Sequence, residues 1–140
     1  GGVGLTRVLR VLGQEVKLTL SSDRTGVAPW GLFGGLPASH ARSAVVAPDG
    51  GVSPLPSKVT TTVSYGHAIV TETPGGGGWG DPRSRDPEAV RWDMIEGLVS
   101  IERAREVYAV AIDPESLTVD EVATAKLREK VTTDSTGTKV

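Results

Sequence analysis

The run Pro74-Gly75-Gly76-Gly77-Gly78-Trp79-Gly80-Asp81-Pro82 divides the chain into two parts of different composition. Gly, Pro, Val and Thr predominate before it, which favours strands and turns, whereas Glu, Arg and Ala predominate after it, which favours helices. The sequence therefore predicts an α+β fold, in which an antiparallel or mixed glycine-rich β region precedes two or three helices. We expect a β-rich region at residues 1–82, a helical region at 83–131 and a flexible tail at 132–140.

The β region shows one clean alternation, at residues 15–21, which places Val16, Leu18 and Leu20 on one face. This pattern predicts a half-buried strand. Residues 5–12 are compatible with a further strand, and the break at Gly13-Gln14 predicts that the two strands form a hairpin. Three more strands are predicted, separated by turns at Asp49-Gly50-Gly51 and Tyr65-Gly66-His67: residues 43–47, 59–63 and 68–73.

The helical region carries recognisable start and stop signals. Asp86-Pro87 supplies an N-cap and a proline at the first helical position, so we expect a helix from residue 87 to 96, stopped by Gly97. Ser100 caps a second helix that ends near Tyr108, with a strand at residues 107–112 as the alternative. The capping-box spacing from Thr118 to Glu121 predicts a third helix that ends at about Val131.

Composition excludes several classes of protein. The chain has 140 residues, no cysteine and a net charge of −2. The lack of cysteine rules out disulfides, cysteine-ligated metals and a thiol nucleophile, and it suits the cytoplasm. The small negative charge argues against a nucleic-acid partner, and no apolar run reaches the 18 residues of a membrane span. His40 and His67 lie 27 residues apart without an acidic cluster, so no metal site is expected.

The glycine-rich stretch formally contains the pattern G-x-G-x-x-G at Gly75, Gly77 and Gly80. A dinucleotide site would need the helix to begin within the glycines, and Pro82 delays that start. We therefore reject this interpretation, and a Walker loop is excluded because no Gly-Lys-Ser/Thr follows. The remaining alternatives are a loop for packing or subunit contact, which we favour, and a ligand cradle. The candidate residues of this loop are Gly75, Gly76, Gly77, Gly78, Trp79, Gly80 and Asp81.

A second loop, at residues 28–35, has a similar composition and follows Arg24. Its candidate binding or interface residues are Trp30, Gly31, Gly34 and Gly35, together with Arg24 itself. Two glycine-rich loops that each carry a tryptophan predict close approach between backbones. Arg24 either pairs with a carboxylate or phosphate or is a solvated, structural arginine, the interpretation that we favour. No Gly-x-Ser-x-Gly motif exists, and no catalytic residue is predicted.

An ordered set of motifs extends over about residues 1–112. Its segments are GGVGLTR at 1–7, SDR at 22–24, PWGLFGG at 29–35, LPSK at 55–58, RDPEAV at 85–90, EGLVS at 96–100 and AREVY at 104–108. The most specific is the 73–82 string, Thr-Pro-Gly-Gly-Gly-Gly-Trp-Gly-Asp-Pro. The set resembles the C-terminal portion of the hydantoinase B family. The chain departs from the family at His67, because the family usually has Asp after the corresponding glycine.

The resemblance implies that the chain is part of an ATP-dependent enzyme. The family comprises B-type subunits of the hydantoinase, oxoprolinase and acetone carboxylase group, which use ATP to activate a carbonyl or amide. Typical members are several times longer, so the chain is expected to be a fragment or a split small subunit, incomplete without its partner. Its length favours the acetophenone carboxylase branch, a ligase that joins bicarbonate to an aromatic ketone.

The same resemblance implies how catalysis and cofactor binding are divided among the subunits. This chain would be non-catalytic or site-completing and inactive alone, with ATP and a divalent cation bound by other subunits and no cofactor in this chain. Its expected partners are a large hydantoinase B-like subunit and hydantoinase A-like subunits in a hetero-oligomer. The alternatives are part of an ATP-dependent hydantoinase or 5-oxoprolinase that hydrolyses a cyclic amide, and a stand-alone binding module.

Overall fold

The computed structural model describes residues 1–134 and contains six strands followed by three helices. This order confirms the predicted α+β fold. The chain divides into two compact units, Gly1–Trp79 and the part from Gly80 onward. The elements are β1 (Thr6–Arg10), β2 (Glu15–Ser21), β3 (Arg42–Val46), β4 (Val52–Pro54), β5 (Lys58–Ser64), β6 (Ala68–Glu72), a 3-10 turn (Pro82–Ser84), α1 (Pro87–Ile95), α2 (Ile101–Tyr108) and α3 (Glu121–Asp134).

The strands form two antiparallel sheets. The larger has the order β1-β6-β3-β4, and β2 and β5 form the smaller. One face of the larger sheet packs on the smaller through the buried side chains of Val11, Val63 and Ile69. The half-buried side chains of Val16 and Leu18 contact this cluster, which confirms the predicted inner face of β2.

The predicted hairpin between β1 and β2 is wrong, because these strands belong to different sheets. The chain crosses between the sheets at residues 11–14 and again at 65–67, and the two crossings are hydrogen-bonded to each other. The N–H of Val11 donates to the carbonyl of His67 (2.8 Å), and that of Tyr65 donates to the carbonyl of Gln14 (2.9 Å). Long-range pairing of β1 with β6 and of β2 with β5 therefore replaces the local hairpin.

The predicted strands at 43–47, 59–63 and 68–73 are present as β3, β5 and β6, but β4 was not predicted. It has only three residues, Val52–Pro54, too few to show an alternation. The turn predicted at Asp49-Gly50-Gly51 is present, but it joins β3 to β4 instead of to the strand at 59–63. The Gly51 N–H donates to the Asp49 carboxylate (2.9 Å), and Gly50 takes a φ of 89°, which favours glycine.

Helices α1 and α2 begin and end close to the predicted residues. The Asp86 carboxylate caps α1, and Gly97, at a φ of 72°, follows its end. Ser100 Oγ accepts from the N–H of Arg103 (3.1 Å) at the start of α2. The alternative strand at 107–112 does not form, because Tyr108 is still helical. The core of the second unit comprises Val90, Val99, Ala104, Val110 and Ile112.

The capping box predicted for α3 is wrong. The helix begins at Glu121, and the carboxylate of Asp120 accepts from the N–H of Ala123 (2.9 Å), so Asp120 is the N-cap. Thr118 lies two residues before this N-cap, and its hydroxyl instead bonds to that of Ser116 (2.8 Å). The helix includes residues 132–134 of the predicted tail, whose remainder, 135–140, lies outside the described residues. Within residues 1–134, no helix has both the length and the apolar composition to cross a membrane.

Candidate functional site

Three glycine-containing segments of the first unit lie side by side, and we call them the glycine layer: residues 1–4, 30–36 and 74–79. The segment 74–79 is the central one. On one side, the N–H of Gly76 donates to the carbonyl of Gly2 (2.9 Å). On the other, the N–H of Gly78 donates to the carbonyl of Leu36 (2.8 Å), and its carbonyl accepts from the N–H of Leu32 (2.9 Å). The close backbone approach predicted for the two glycine-rich loops is therefore confirmed.

The layer extends the pairing of β1 with β6. Beyond the last paired residues of these strands, the N–H of Thr73 donates to the carbonyl of Leu5 (2.8 Å), and Thr73 Oγ1 accepts from the N–H of Leu5 (3.0 Å). The antiparallel pairing of β1 with β6 thus brings residues 1–4 next to residues 74–79. Sequence analysis did not include residues 1–4 among the candidate site residues, although their three glycines were a usable signal.

Several glycines of the layer are required by the close approach of the segments. A Cβ atom at Gly77 would overlap the carbonyl of Trp30, and one at Gly35 would overlap that of Gly78. Gly31 and Gly75 face the carbonyls of Gly35 and Gly2 in the same way. A neighbouring backbone, rather than a ligand, therefore occupies the space that side chains would fill. This finding supports the packing interpretation over the ligand cradle.

Three aromatic side chains of the layer are exposed, and we call them together the aromatic patch: Trp30, Phe33 and Trp79. Their side chains are 64%, 79% and 76% exposed. The rings of Phe33 and Trp79 meet edge to face, with centroids 5.8 Å apart and an interplanar angle of 67°. Phe33 was missed by sequence analysis, because a lone phenylalanine between glycines gives no periodic signal.

Arg24 lies beside the aromatic patch. Its backbone has a φ of 63°, and its carbonyl accepts from the N–H of Ala41 (3.0 Å). The guanidinium carbon is 5.3 Å from the centre of the Trp30 ring, a cation–π distance. The ion pairs found among residues 1–134, Arg85–Asp93 and Arg91–Glu88, do not include Arg24. Its partner within the described chain is thus an aromatic ring rather than a carboxylate.

The structure does not bring all of the predicted site residues together. Gly34, at a φ of 90°, turns the chain within the layer. Gly80, at a φ of 75°, and Asp81 belong to the second unit, outside the layer. The Asp81 carboxylate accepts from the N–H of Arg83 (2.9 Å), so it caps the 3-10 turn.

The glycine layer consists only of glycine, proline, aliphatic and aromatic residues. The glycine layer contains no ionisable side chain, hydroxyl or amide, so its side chains supply no general acid, base or nucleophile. His40 Nδ1 lies 3.1 Å from the carbonyl oxygen of Thr25, and His67 Nδ1 lies 3.4 Å from that of Tyr65. No group of three or more histidines or carboxylates in the described part of the chain is arranged to hold a metal ion.

The fold and the layer define an α+β protein in which closely packed glycine segments carry exposed aromatic side chains. Residues 1–82 match the family model described as hydantoinase B/oxoprolinase. The match covers more than half of the chain, and the chain belongs to this family.

Three relatives show how the chain relates to longer proteins. The uncharacterized protein MJ0963 of Methanocaldococcus jannaschii is 35% identical over 130 residues, which are 91% of this chain and 23% of that protein. The acetophenone carboxylase delta subunit of Aromatoleum aromaticum is 39% identical over 54 residues, which are 39% of this chain and 8% of that subunit. The crystal structure of the ATP-dependent caprolactamase from Pseudomonas jessenii has a TM-score of 0.71 at 26% identity, covering 90% of this chain and 22% of that one. The chain therefore spans less than a quarter of the length of each.

Proposed function

We propose that this chain is a non-catalytic, site-completing part of an ATP-dependent enzyme that activates a cyclic amide or a ketone. In this proposal the glycine layer and the aromatic patch contact the rest of the enzyme, namely a large hydantoinase B-like polypeptide and hydantoinase A-like subunits. ATP and a divalent cation are bound by those partners. Family membership supports the class of enzyme.

The aromatic patch is the observation that carries the contact role. Three large aromatic side chains are each more than three-fifths exposed, on a backbone that glycine packing holds in place. Tryptophan is enriched among the residues that dominate the binding energy of interfaces, and rigid presentation lowers the entropy lost on association. A patch of this kind suits a protein contact better than exposure to water.

Cyclic-amide hydrolysis is the reaction that the comparisons favour. In sequence, the match to the caprolactamase beta subunit extends over 45% of the chain and the match to the acetophenone carboxylase delta subunit over 39%. In structure, the caprolactamase match extends over 90% of the chain and the acetone carboxylase match over 79%. Carboxylation of an aromatic ketone, which the sequence analysis preferred because of the small size of the chain, is the second candidate. Its support is the 39% identity to the acetophenone carboxylase delta subunit.

The proposal is tested by isolating the chain from its native source through an affinity tag. Subunits that copurify are identified by mass spectrometry. The complex is assayed for ATP-dependent hydrolysis of hydantoin, 5-oxoproline and caprolactam, and for ATP-dependent fixation of bicarbonate onto acetophenone. We expect hydantoinase A-like and B-like partners together with hydrolysis of a cyclic amide.

The other outcomes separate the alternatives. Fixation of bicarbonate without amide hydrolysis would establish the carboxylase instead. A folded chain that copurifies with neither type of subunit would overturn the proposal and leave a stand-alone binding module. A chain that catalyses either reaction after removal of its partners would contradict the non-catalytic role.

A further inference from the structure

The larger sheet has one face that the first unit leaves open, and we call it the open sheet face: Val8, Ala44, Val46, Val52 and Val70. The pairing of β3 with β6 and β4 places Ala44 opposite Val70 and Val46 opposite Val52. Val8 and Val52 remain 57% and 64% exposed. Apart from Val8, the residues of this face line a groove of about 640 Å³ together with residues 25–26 and 55–57. All residues that line the groove belong to the first unit.

The strands behind this face are apolar on both sides. A sheet with one face in water alternates apolar and polar residues, because only one face is buried. β3 instead contains Ala44, Val45 and Val46 in succession, and β6 contains Ala68, Ile69 and Val70. Val45 and Ile69 point to the core shared with β2 and β5. Because successive residues of a strand point to opposite faces, Ala44, Val46 and Val70 belong to the open sheet face. This composition is typical of a sheet that is covered on both faces.

The rim of the groove carries one charge of each sign. Arg42 and Glu72 are register partners across β3 and β6, and both are exposed. Neither takes part in an ion pair among residues 1–134. A covering segment with an apolar centre and charged side chains at its edge would therefore match both parts of the groove.

We propose that the open sheet face is covered by an apolar segment of the B-type polypeptide, drawn from the sequence outside the region that this chain matches. This inference rests on the proposed function. The caprolactamase contains the same fold over 90% of this chain, yet the matched part is 22% of its own chain. More than three quarters of such a polypeptide is thus available to supply the segment. A small molecule fits less well, because ligand sites usually enclose most of their ligand and the valine at position 52 is largely open to solvent.

The absence of cysteine from all 140 residues allows a site-specific test. Val52→Cys places a unique thiol on the open sheet face. The control, Thr62→Cys, places a thiol at an exposed position of β5. In the alternation of this strand, residue 62 points away from the core. Each variant is labelled with a maleimide, both as the free chain and in the complex assembled with the B-type polypeptide. A benzophenone attached to the same thiol then identifies the contacting peptide by mass spectrometry.

We expect at least tenfold slower labelling of Val52→Cys in the complex, with Thr62→Cys changed less than twofold. We also expect a crosslink to B-type sequence outside the matched region. Equal labelling in an intact complex, or a crosslink to a second copy of this chain, would overturn the inference while leaving the proposed function standing. Failure of the unmodified chain to assemble would overturn both.

A charge substitution gives a second readout. Val52→Asp should weaken assembly at least tenfold, because it places a carboxylate in the covered groove. Thr62→Asp should leave assembly within twofold. The circular dichroism spectra of the free variants should match that of the parent chain, since both positions are exposed there. Undiminished assembly of Val52→Asp would also overturn the inference.

Discussion

Gly77 shows why a glycine is needed within the tetraglycine run. The carbonyl of Trp30 lies where the first side-chain atom of any other residue would be. The obstacle is backbone, which cannot move aside as the end of a flexible side chain can. Gly26 is a natural contrast, since a Cβ atom there would meet nothing within 4 Å.

Gly77→Ala should therefore lower the free energy of unfolding by about 2 kcal/mol, the usual cost of an overpacked site. Gly26→Ala should change it by about 0.5 kcal/mol or less. Urea unfolding of the full chain, followed by circular dichroism, measures both values. Equal stability of the two variants would contradict the close packing of the glycine layer.

Asp113 gives a pH-dependent prediction. Hydrogen bonds from the N–H and hydroxyl of Ser116 and from the N–H of Glu115 lower the pKa of its carboxyl below 3.8. Because the pKa is lower in the folded chain, the stabilisation is present above pH 3.8 and is lost as the pH falls through the folded pKa. Asp113→Ala should thus lower the melting temperature at neutral pH, and the difference should shrink in acid.

Thermal unfolding of both chains at neutral pH and in steps below pH 3.8 measures this effect. Asp23→Ala, at another exposed carboxylate, controls for the loss of one negative charge. A difference in melting temperature that stays constant into acid would show that the hydrogen bonds of Asp113 do not stabilise the fold.

Among the secondary-structure elements, helix starts were predicted correctly where the capping side chain lies close in sequence to the N–H group that it accepts from. Asp86 and Ser100 cap the helices that they were predicted to cap, within three residues of the N–H groups that they accept from. The start of α3 was misassigned because Thr118 and Asp120 are both good caps two residues apart. Which of the two residues caps the helix depends on where the chain enters it. Asp120 is fixed at that point because its N–H donates to the carbonyl of Ala111 (2.9 Å).

The two candidate caps can be compared directly. Asp120→Ala should cost about 1 kcal/mol of unfolding free energy, because it removes the acceptor for the N–H of Ala123. Thr118→Ala should cost about 0.5 kcal/mol or less, since its hydroxyl bonds only within an exposed turn. Urea unfolding of the full chain measures both values. A larger loss from Thr118→Ala would restore the capping box.

At the scale of the whole molecule, the chain leaves much apolar surface outside its two small cores. Val8, Val52 and the aromatic patch are each more than half exposed. Only two aromatic positions, Trp30 and Trp79, could be selected from the sequence, and their exposure could not be predicted. A tryptophan in a glycine-rich loop is equally compatible with a core and with an interface.

Trp79→Ala tests the aromatic patch as an interface. In the complex, we expect the dissociation constant to rise about 30-fold, corresponding to about 2 kcal/mol for a central tryptophan. The stability of the free chain should fall by about 1 kcal/mol, because the edge-to-face contact with Phe33 is lost. Tyr65→Ala, at a tyrosine that is 65% exposed and lies outside the glycine layer, is the control. A similar effect of the two substitutions on assembly would argue against the patch.

Local patterns in the sequence were enough to predict the α+β class, most strands, the starts of α1 and α2 and the family, because these depend on alternation, caps and an uninterrupted motif. Only the folded chain shows which strands pair, which face of the larger sheet the first unit leaves open and which segments join Gly75–Gly78 in one layer. These features depend on contacts between residues distant in sequence, such as Thr73 with Leu5 and Gly78 with Leu32. Such contacts leave no periodic signal in the chain, since they are selected by the packing of the whole unit rather than by neighbouring residues.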